Sequence, residues 1–186
     1  MENNITDKVF IDCGAHCGES IVRAKQQFGL NTRVVSFEAV PLLAEQLIEL
    51  YKDDRSVDIV NAAANDYSGQ IDFYLSPAFT DGSSKLTSLN NNHKGQTITI
   101  NSVCLSDWML AQFTKQHYVI LKLDIEGAEY DVLEDLIETG AIDLVDELWG
   151  EWHFGHMIHN MGENEKVRFM ERDRKLRAKL AELNKP

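Results

Sequence analysis

The densest group of residues that could do chemistry lies near the N-terminus, at positions 9–18. A short apolar run at 9–11 predicts a buried strand, and Asp12, Gly14 and Gly18 follow it directly. An amphipathic pattern that begins at Glu19 predicts a helix after this turn. Glycines allow a ligand to approach the backbone closely, and free N–H groups at a helix start favour negative charge. The stretch is therefore typical of a nucleotide-binding element, in which Asp12 supplies an acceptor and repels phosphate.

Polar or acidic residues also follow the other predicted strands. Strands are predicted at 34–37, 57–60, 119–123 and 144–152 from their apolar, β-branched composition. Ligands of open α/β sheets bind beyond the carboxyl ends of the strands, at the switch point in strand order. Any one of the polar residues at these strand ends could cap a helix or lie in a solvated turn, but a shared site accounts for all of them at once. The set comprises Asp12, Glu38, Asp66, Asp124 and Glu151 with His153.

The elements that must position these residues alternate between strand and helix patterns, which predicts a parallel sheet with helices on both faces. Helices are predicted at 41–51, 129–138 (closed by Gly140) and 163–183, and a short one at 107–113 capped by Ser106. Strands at 71–75 and 97–100 are expected to pair, while 155–162 is expected to be a loop. The fold class is α/β, a three-layer Rossmann-like fold with a mostly parallel sheet, in one domain over 1–186 with its core at 5–153.

Two segments stand apart from this core. Residues 77–97 are polar and rich in Gly, Ser and Asn, which predicts a lid-like loop over a ligand pocket. The charged helix predicted at 163–184 has Phe169, Leu176, Leu180 and Leu183 on one side. Residues 163–186 carry eight bases against five acids, whereas the rest of the chain has a net charge near −15. This basic helix could dock on the acidic body of its own chain or of another subunit, giving a homo-oligomer. A solvated helix face is an equally good interpretation.

Composition narrows the class of protein. A net charge of −12 over 186 residues excludes nucleic acid as a natural partner, because such a surface repels phosphate. There is no apolar run of membrane-spanning length and no secretory leader, which predicts a cytoplasmic protein without a membrane partner. Cys13, Cys17 and Cys104 are an odd number of cysteines, so no disulfide framework is expected. Cys13 and Cys17 could form half of a metal site, but small packing residues are the favoured interpretation.

The choice of cofactor depends on two acids. Glu38 follows the glycine turn at the distance expected for an acid that binds a ribose diol. The turn lacks the third glycine of G-x-G-x-x-G, and Asp12 suits a cationic or zwitterionic group better than a pyrophosphate. S-adenosylmethionine fits these features through its sulfonium, its amino-acid moiety and its unphosphorylated ribose. NAD fits less well, and no P-loop signature supports nucleotide hydrolysis.

Four blocks of the chain resemble the FkbM-type class I S-adenosylmethionine-dependent methyltransferases. The blocks are VFIDCGAHCGES (9–20), VVSFEAVP (34–41), NAAANDYSGQIDFY (61–74) and LKLDIEGAEYDVL (121–133). The resemblance implies methyl transfer to a hydroxyl oxygen of a small molecule or sugar. It also implies an antiparallel hairpin after the fifth strand, which this sequence does not show. The sheet is therefore expected to be shortened or completed by a partner subunit.

The resemblance also implies roles for particular residues. Asp12, Gly14 and Gly18 would line the methionine end of the cofactor, Glu38 would hold the ribose, and Asn65 and Asp66 would lie near the adenine. Ser83, Ser84 and Lys85 resemble a serine-containing loop that the family places ahead of its last strands. The predicted cofactor-binding set comprises Asp12, Gly14, His16, Gly18, Glu38, Ala39, Asn65, Asp66 and Asp124.

Methyl transfer from a sulfonium is an in-line displacement, so it needs an aligned nucleophile and benefits from a base. The predicted catalytic residues are His153, Asp124 and Glu126, with His153 preferred as the base for its intrinsic pKa. Glu129 and Asp131 are expected to serve the N-terminal turn of their helix. A divalent metal is an alternative activator that is not favoured, so no metal ligand is predicted. Its candidate ligands are Asp124, Glu126, Glu151, His153, His156 and His159.

Two competing hypotheses remain at this stage. The same turn could serve an NAD-linked or nucleotide-sugar enzyme, against which the missing glycine and Asp12 both count. A non-enzymatic protein is the other alternative, in which a shortened methyltransferase fold is kept as a binding or scaffold subunit. The absence of a terminal hairpin pattern and the basic C-terminal helix favour that second alternative.

Overall fold

Five parallel strands form the central sheet of this protein. The computed structural model describes residues 7–75, 96–159 and 161–185. The sheet strands are β1 (Asp7–Cys13), β2 (Arg33–Phe37), β3 (Val57–Val60), β7 (His117–Leu123) and β8 (Val145–Gly150). They are arranged in the order β3-β2-β1-β7-β8, and every pair is parallel. The strand order reverses between β1 and β7, so the carboxyl ends of these two strands form the switch point.

A second, three-stranded sheet lies between β3 and β7 in the sequence. It contains β4 (Ala63–Asn65), β5 (Gly69–Tyr74) and β6 (Thr97–Cys104), with β6 in the middle. Strand β6 is antiparallel to β5, with Ile71 opposite Ile100, and parallel to β4. The predicted pairing of 71–75 with 97–100 is therefore confirmed. The sequence pattern did not predict β4, because three residues are too few to show a period.

Helices cover both faces of the central sheet. The helices are α1 (Glu19–Phe28), α2 (Pro41–Tyr51), α3 (Leu105–Gln112), α4 (Glu129–Glu138), α5 (Phe154–His159) and α6 (Glu163–Glu182). Ile21 of α1 and Leu47 of α2 pack against Phe10 and Val34 on one face. Residues of α3, α4 and α6 join the core on the opposite face of β1 and β7. The predicted three-layer, Rossmann-like α/β fold is therefore confirmed.

The end of the central sheet differs from the arrangement that the resemblance implies. Within the described residues β8 is the last strand, and α5 and α6 follow it without an antiparallel hairpin. None of the helices in this described part combines the length and the apolar character needed to cross a bilayer.

Two local predictions are wrong. Residues 155–162 were expected to form a loop, but Phe154–His159 is helical, because Met157 is buried in the core and Phe154 packs beside it. Six residues with a glycine inside are too short for a recognisable period. Ser106 is not a cap either, since α3 begins at Leu105, two residues earlier than predicted, and Ser106 is buried within the first turn. The predicted lid-like loop at 77–97 falls almost entirely outside the described residues, as do Ser83, Ser84 and Lys85.

The charged helix α6 docks on its own chain. Its residues Phe169, Leu176 and Leu180 are buried in the core, as the predicted apolar side requires. The guanidinium of Arg172 lies 2.7 Å from Asp131 and 2.6 Å from Glu134, both on α4. The basic helix therefore neutralises acids of its own body. A homo-oligomer formed through this helix stays a prediction.

Candidate functional site

A cavity of about 490 Å³ opens at the carboxyl ends of β1, β2 and β7, at the switch point of the sheet. Most of the residues predicted from strand ends reach it or lie directly behind its wall. The predicted residues that line the cavity are Gly14, His16, Glu38, Ala39, Asp124, Glu126 and Glu151. Asp12, Gly18, Asn65, Asp66 and His153 are not among its lining residues. On the side of the cavity where Asn65 and Asp66 were predicted, the lining consists of Ala62, Ala63 and Ala64 instead.

The turn after β1 explains the requirement for glycine at position 14. Gly14 has a φ of +90°, and a Cβ placed there would lie 1.9 Å from the backbone oxygen of Asp124. The backbone N–H groups of Gly14 and Ala15 both donate to the carbonyl of Phe37, at 3.0 and 3.1 Å. The turn is thus packed between the ends of β2 and β7. Gly18, with a φ of +89°, instead faces Leu47, 2.9 Å from where its Cβ would be.

Glu38 connects the two loops that border the cavity. Its Oε2 accepts a hydrogen bond from the His16 N–H at 2.7 Å, and its Oε1 accepts one from the Val40 N–H at 2.8 Å. Burial raises the pKa of Glu38, and these two hydrogen bonds oppose that shift. Each carboxylate oxygen keeps a second lone pair. Glu38 therefore fixes the shape of the cavity and can still accept hydrogen bonds from a ligand within it.

Asp12 lies beneath the turn rather than on the cavity wall. Its side chain is fully buried, and Oδ2 accepts hydrogen bonds from the hydroxyls of Ser20 and Ser36. Burial raises the pKa of Asp12, while the nearby ammonium of Lys122 and the two serines lower it. This carboxylate ties the start of α1 to the ends of β1 and β2. The arrangement does not fit the direct cofactor contact that was predicted for Asp12, because other side chains of the protein surround the carboxylate.

Lys122 is the functional residue that the sequence analysis missed. Its ammonium lies 3.1 Å from Asp12 Oδ1 and 3.4 Å from Asp124 Oδ2, and it donates to the carbonyl of Gly14 at 2.9 Å. Burial lowers the pKa of Lys122, but the charges of Asp12 and Asp124 outweigh this effect and raise it. The sequence did contain one sign of its importance, because Lys122 is the single cation inside the apolar run 119–123. A lone charge in a buried strand implies a partner, since unpaired charges are rarely buried.

His153 lies behind the cavity wall, within reach of three acids. Its Nδ1 is 2.9 Å from Glu129 Oε1, and its Nε2 is 3.5 Å from Glu126 Oε2 and 3.8 Å from Asp124 Oδ1. Burial lowers the pKa of His153, but the hydrogen bond and charge of Glu129, with the charges of Glu126 and Asp124, raise it to about 9. An imidazole with this pKa is protonated near neutral pH. It therefore acts there as a charge partner, which does not fit the predicted role of general base.

The raised pKa of His153 predicts a pH-dependent stability in the metal-free protein. An unfolded histidine titrates near 6.5, so the stabilisation is complete below that pH and is lost as the pH rises through about 9. We expect His153→Gln to cost about 2 kcal/mol more at about pH 6 than at about pH 10. Urea unfolding of parent and variant in EDTA at both pH values measures this. An equal cost at the two pH values would contradict the assignment of a charged His153.

Glu129 was predicted only to stabilise the N-terminal turn of its helix, but its side chain makes further contacts. Its side chain is buried and accepts hydrogen bonds from the backbone N–H groups of Ile125 and Gly127, each at 2.8 Å. The same carboxylate contacts His153, so it fixes both the loop after β7 and the segment after β8. Among the possible ligands of the metal that was not favoured, Glu151 and His159 are exposed. The side chain of His156 lies outside the described residues.

Cys13, Cys17 and Cys104 are not in disulfides, as predicted. Cys13 is fully buried beside Asp12, and burial raises the pKa of its thiol. Cys17 is exposed, with its Sγ 3.9 Å from His16 Nε2, so the packing role predicted for it is wrong. The difference arises because Cys13 ends strand β1, whereas Cys17 lies on the outside of the turn. The sequence alone does not reveal which side of the turn faces solvent.

The fold and the site define a class of protein. A parallel sheet with a glycine turn after β1, an acid after β2 and a cavity at the switch point is typical of Rossmann-like α/β domains. A family model described as the methyltransferase FkbM domain matches residues 12–179. The chain therefore belongs to the FkbM methyltransferase family, which the resemblance of its four sequence blocks predicted.

Comparison with solved structures gives a match to the crystal structure of methyltransferase FkbM from Methylobacillus flagellatus KT. The sequences are 16% identical, and the match covers 72% of this chain and 30% of that chain, with a TM-score of 0.45. The matched part of this chain thus covers less than a third of the length of that protein. A search of curated proteins finds no match.

Proposed function

We propose that this protein is an S-adenosylmethionine-dependent methyltransferase that acts on a hydroxyl group of a small molecule or glycan. The observation that carries the proposal is the convergence of Glu38 and the Gly14 turn on one cavity at the switch point of an FkbM-family domain. Membership of the family supports methyl transfer. The cofactor and the type of acceptor are inferred from the chemistry of the cavity.

The lining of the cavity suits a cationic cofactor better than a dinucleotide. Acidic residues outnumber basic ones among the described lining residues, with Glu19, Glu38, Asp124, Glu126 and Glu151 against Arg23 and Lys122. Carboxylates attract a sulfonium or an ammonium and repel a pyrophosphate. These charges favour S-adenosylmethionine over NAD and agree with the missing third glycine.

The ribose is the part of the cofactor for which this chain offers the clearest partner. The Glu38 carboxylate is held by two backbone N–H groups and lines the cavity with its remaining lone pairs. A fixed carboxylate can accept hydrogen bonds from both hydroxyls of a ribose diol. Gly14 also lines the cavity, so its backbone borders the space that a ligand would occupy.

The acids after β7 face the place where an acceptor would bind. When bound, S-adenosylmethionine supplies an electrophilic methyl group. Asp124 and Glu126 line the cavity and can accept the proton that the acceptor hydroxyl loses as its oxygen forms a bond to that methyl group and the methyl–sulfur bond breaks, leaving the electron pair on sulfur. His153 and Lys122 lie beside these carboxylates. The positions of the acids thus support a hydroxyl acceptor.

Calorimetric titration with S-adenosylhomocysteine tests the cofactor assignment. We expect the parent to bind with micromolar affinity and Glu38→Gln to bind at least about tenfold more weakly, since the amide cannot replace both acceptor oxygens. Glu45→Gln, on the exposed side of α2, makes the same charge change and should retain the parent's affinity.

Two further measurements make this test decisive. Urea unfolding without ligand shows whether Glu38→Gln has lost its fold, because Glu38 also holds the two loops together. NAD serves as the ligand control. Equal affinity of parent and Glu38→Gln for S-adenosylhomocysteine would contradict the site assignment. A folded parent that binds no S-adenosylhomocysteine would favour the scaffold alternative.

A further inference from the structure

We infer that Asp124, Glu126 and His153 form a binding site for a divalent cation of the Mn²⁺ or Mg²⁺ type. The three residues come from the end of β7, the loop that follows it and the segment after β8. Their potential ligand atoms all lie within 4.8 Å of one another. The inference rests on the proposed function only for what the ion does, because binding itself follows from the side chains.

The separations of the donor atoms are close to those around a bound ion. Ligands about 2.1 Å from an octahedral ion lie about 3 Å apart when they are neighbours. In the structure His153 Nε2 is 3.5 Å from Glu126 Oε2 and 3.8 Å from Asp124 Oδ1. Two carboxylates and one imidazole are hard and intermediate ligands, which Mg²⁺ and Mn²⁺ accept.

Glu129 orients His153 in the way that outer carboxylates orient metal-binding histidines. Its Oε1 lies 2.9 Å from His153 Nδ1, so the opposite ring nitrogen, Nε2, is turned toward Asp124 and Glu126. Glu129 is buried and fixed by two backbone N–H groups of the loop that carries Glu126. Such carboxylate–histidine pairs fix the ring and increase its basicity toward a metal. This is an independent reason to regard His153 as a ligand.

Asp124 is oriented in a similar manner from its other side. Lys122 lies 3.4 Å from Oδ2 of Asp124, while Oδ1 is the oxygen nearer to His153. The side chains of Asp124 and Glu126 are 33% and 21% exposed, and both line the cavity, whereas His153 is buried behind them. An ion held by these donors would keep open positions on the cavity side. There it would bind the acceptor hydroxyl and lower its pKa.

A second group of potential ligands provides a contrast. His16, Cys17 and Glu19 also lie close together in the part of the chain that the structure describes. Cys17 and Glu19 are exposed, and the His16–Glu19 contact is 4.0 Å between residues on one turn of chain. The group has a thiol and no buried carboxylate behind its histidine. It therefore carries no inference of a site for a hard cation.

The test is a titration of metal-free protein with Mn²⁺, followed by the electron paramagnetic resonance signal of free Mn²⁺. We expect one Mn²⁺ bound per chain of the parent, and binding at least about tenfold weaker in both Glu126→Gln and Asp124→Asn. Each substitution replaces a charged ligand with an amide of the same shape. Glu138→Gln, which removes an exposed charge from α4, is the matched control and should bind within about twofold of the parent.

The outcomes separate this inference from the proposed function. Absence of stoichiometric Mn²⁺ binding to the folded parent, or equal binding by parent and both variants, overturns the metal site and leaves His153 as an ion-pair partner. Thermal unfolding in EDTA identifies a variant that fails to fold. In that case the Mn²⁺ affinity of the other variant decides whether the metal site is present. Titration of the same parent with S-adenosylhomocysteine in EDTA examines the cofactor site without metal. Either site can thus fail while the other is retained.

Discussion

Replacing Gly14 with alanine is expected to lower the free energy of unfolding by about 3 kcal/mol or more. The added Cβ would lie 1.9 Å from the backbone oxygen of Asp124, at a φ of +90°. The left-handed backbone alone costs about 1–2 kcal/mol for a residue with a Cβ. The larger part of the loss arises because the obstacle is backbone at the end of β7, which cannot move without disturbing its pairing with β1.

Gly140→Ala provides the matched control for this prediction. Gly140 has a φ of +78°, and nothing lies within 4 Å of the position its Cβ would take. Its replacement reports the cost of the left-handed backbone without the collision. Urea unfolding of the parent and both variants measures the difference. Equal losses for Gly14→Ala and Gly140→Ala would show that the turn can relax away from β7, contrary to the expectation.

Replacing Lys122 with methionine is expected to cost about 3–5 kcal/mol, because it leaves the buried carboxylate of Asp12 without its cation. Asp12 is completely buried in the fold, and the ammonium Nζ of Lys122 lies 3.1 Å from its Oδ1. Methionine preserves most of the volume and the apolar stem of lysine. The loss therefore reports the uncompensated charge rather than a cavity.

The double variant Asp12→Asn with Lys122→Met identifies the cause of this loss. Removing both charges should recover stability relative to Lys122→Met alone, as measured by urea unfolding. Lys25→Met is a useful comparison, since its partner Asp54 is 39% exposed and can be solvated when the lysine is lost. A smaller cost is expected there. A double variant no more stable than Lys122→Met would contradict the explanation.

The amino-acid sequence determined the layout of the elements. The apolar runs of β1, β2 and β7 are buried on both faces, as the strands of parallel sheets are, and this makes them readable as short continuous hydrophobic stretches. The period of α4 and the Gly140 that closes it were equally clear, as was the apolar side of α6. Topology then follows, because parallel strands joined by helices place their carboxyl ends at one edge. Glu38 and Asp124 were found for that reason.

Only the tertiary structure decided which of these acids face the cavity and which are enclosed by the protein. Asp12 and Lys122 are register partners on neighbouring strands, yet they are far apart in the sequence, and no local pattern specifies that register. The same holds for Glu129 and His153, whose contact joins segments 24 residues apart. Charge, burial and pKa depend on such distant neighbours, whereas secondary structure depends largely on near ones. The sequence thus placed Glu38 and Asp124 at the switch point, and the packing of the strand ends decides which acids line the cavity and which are buried behind it.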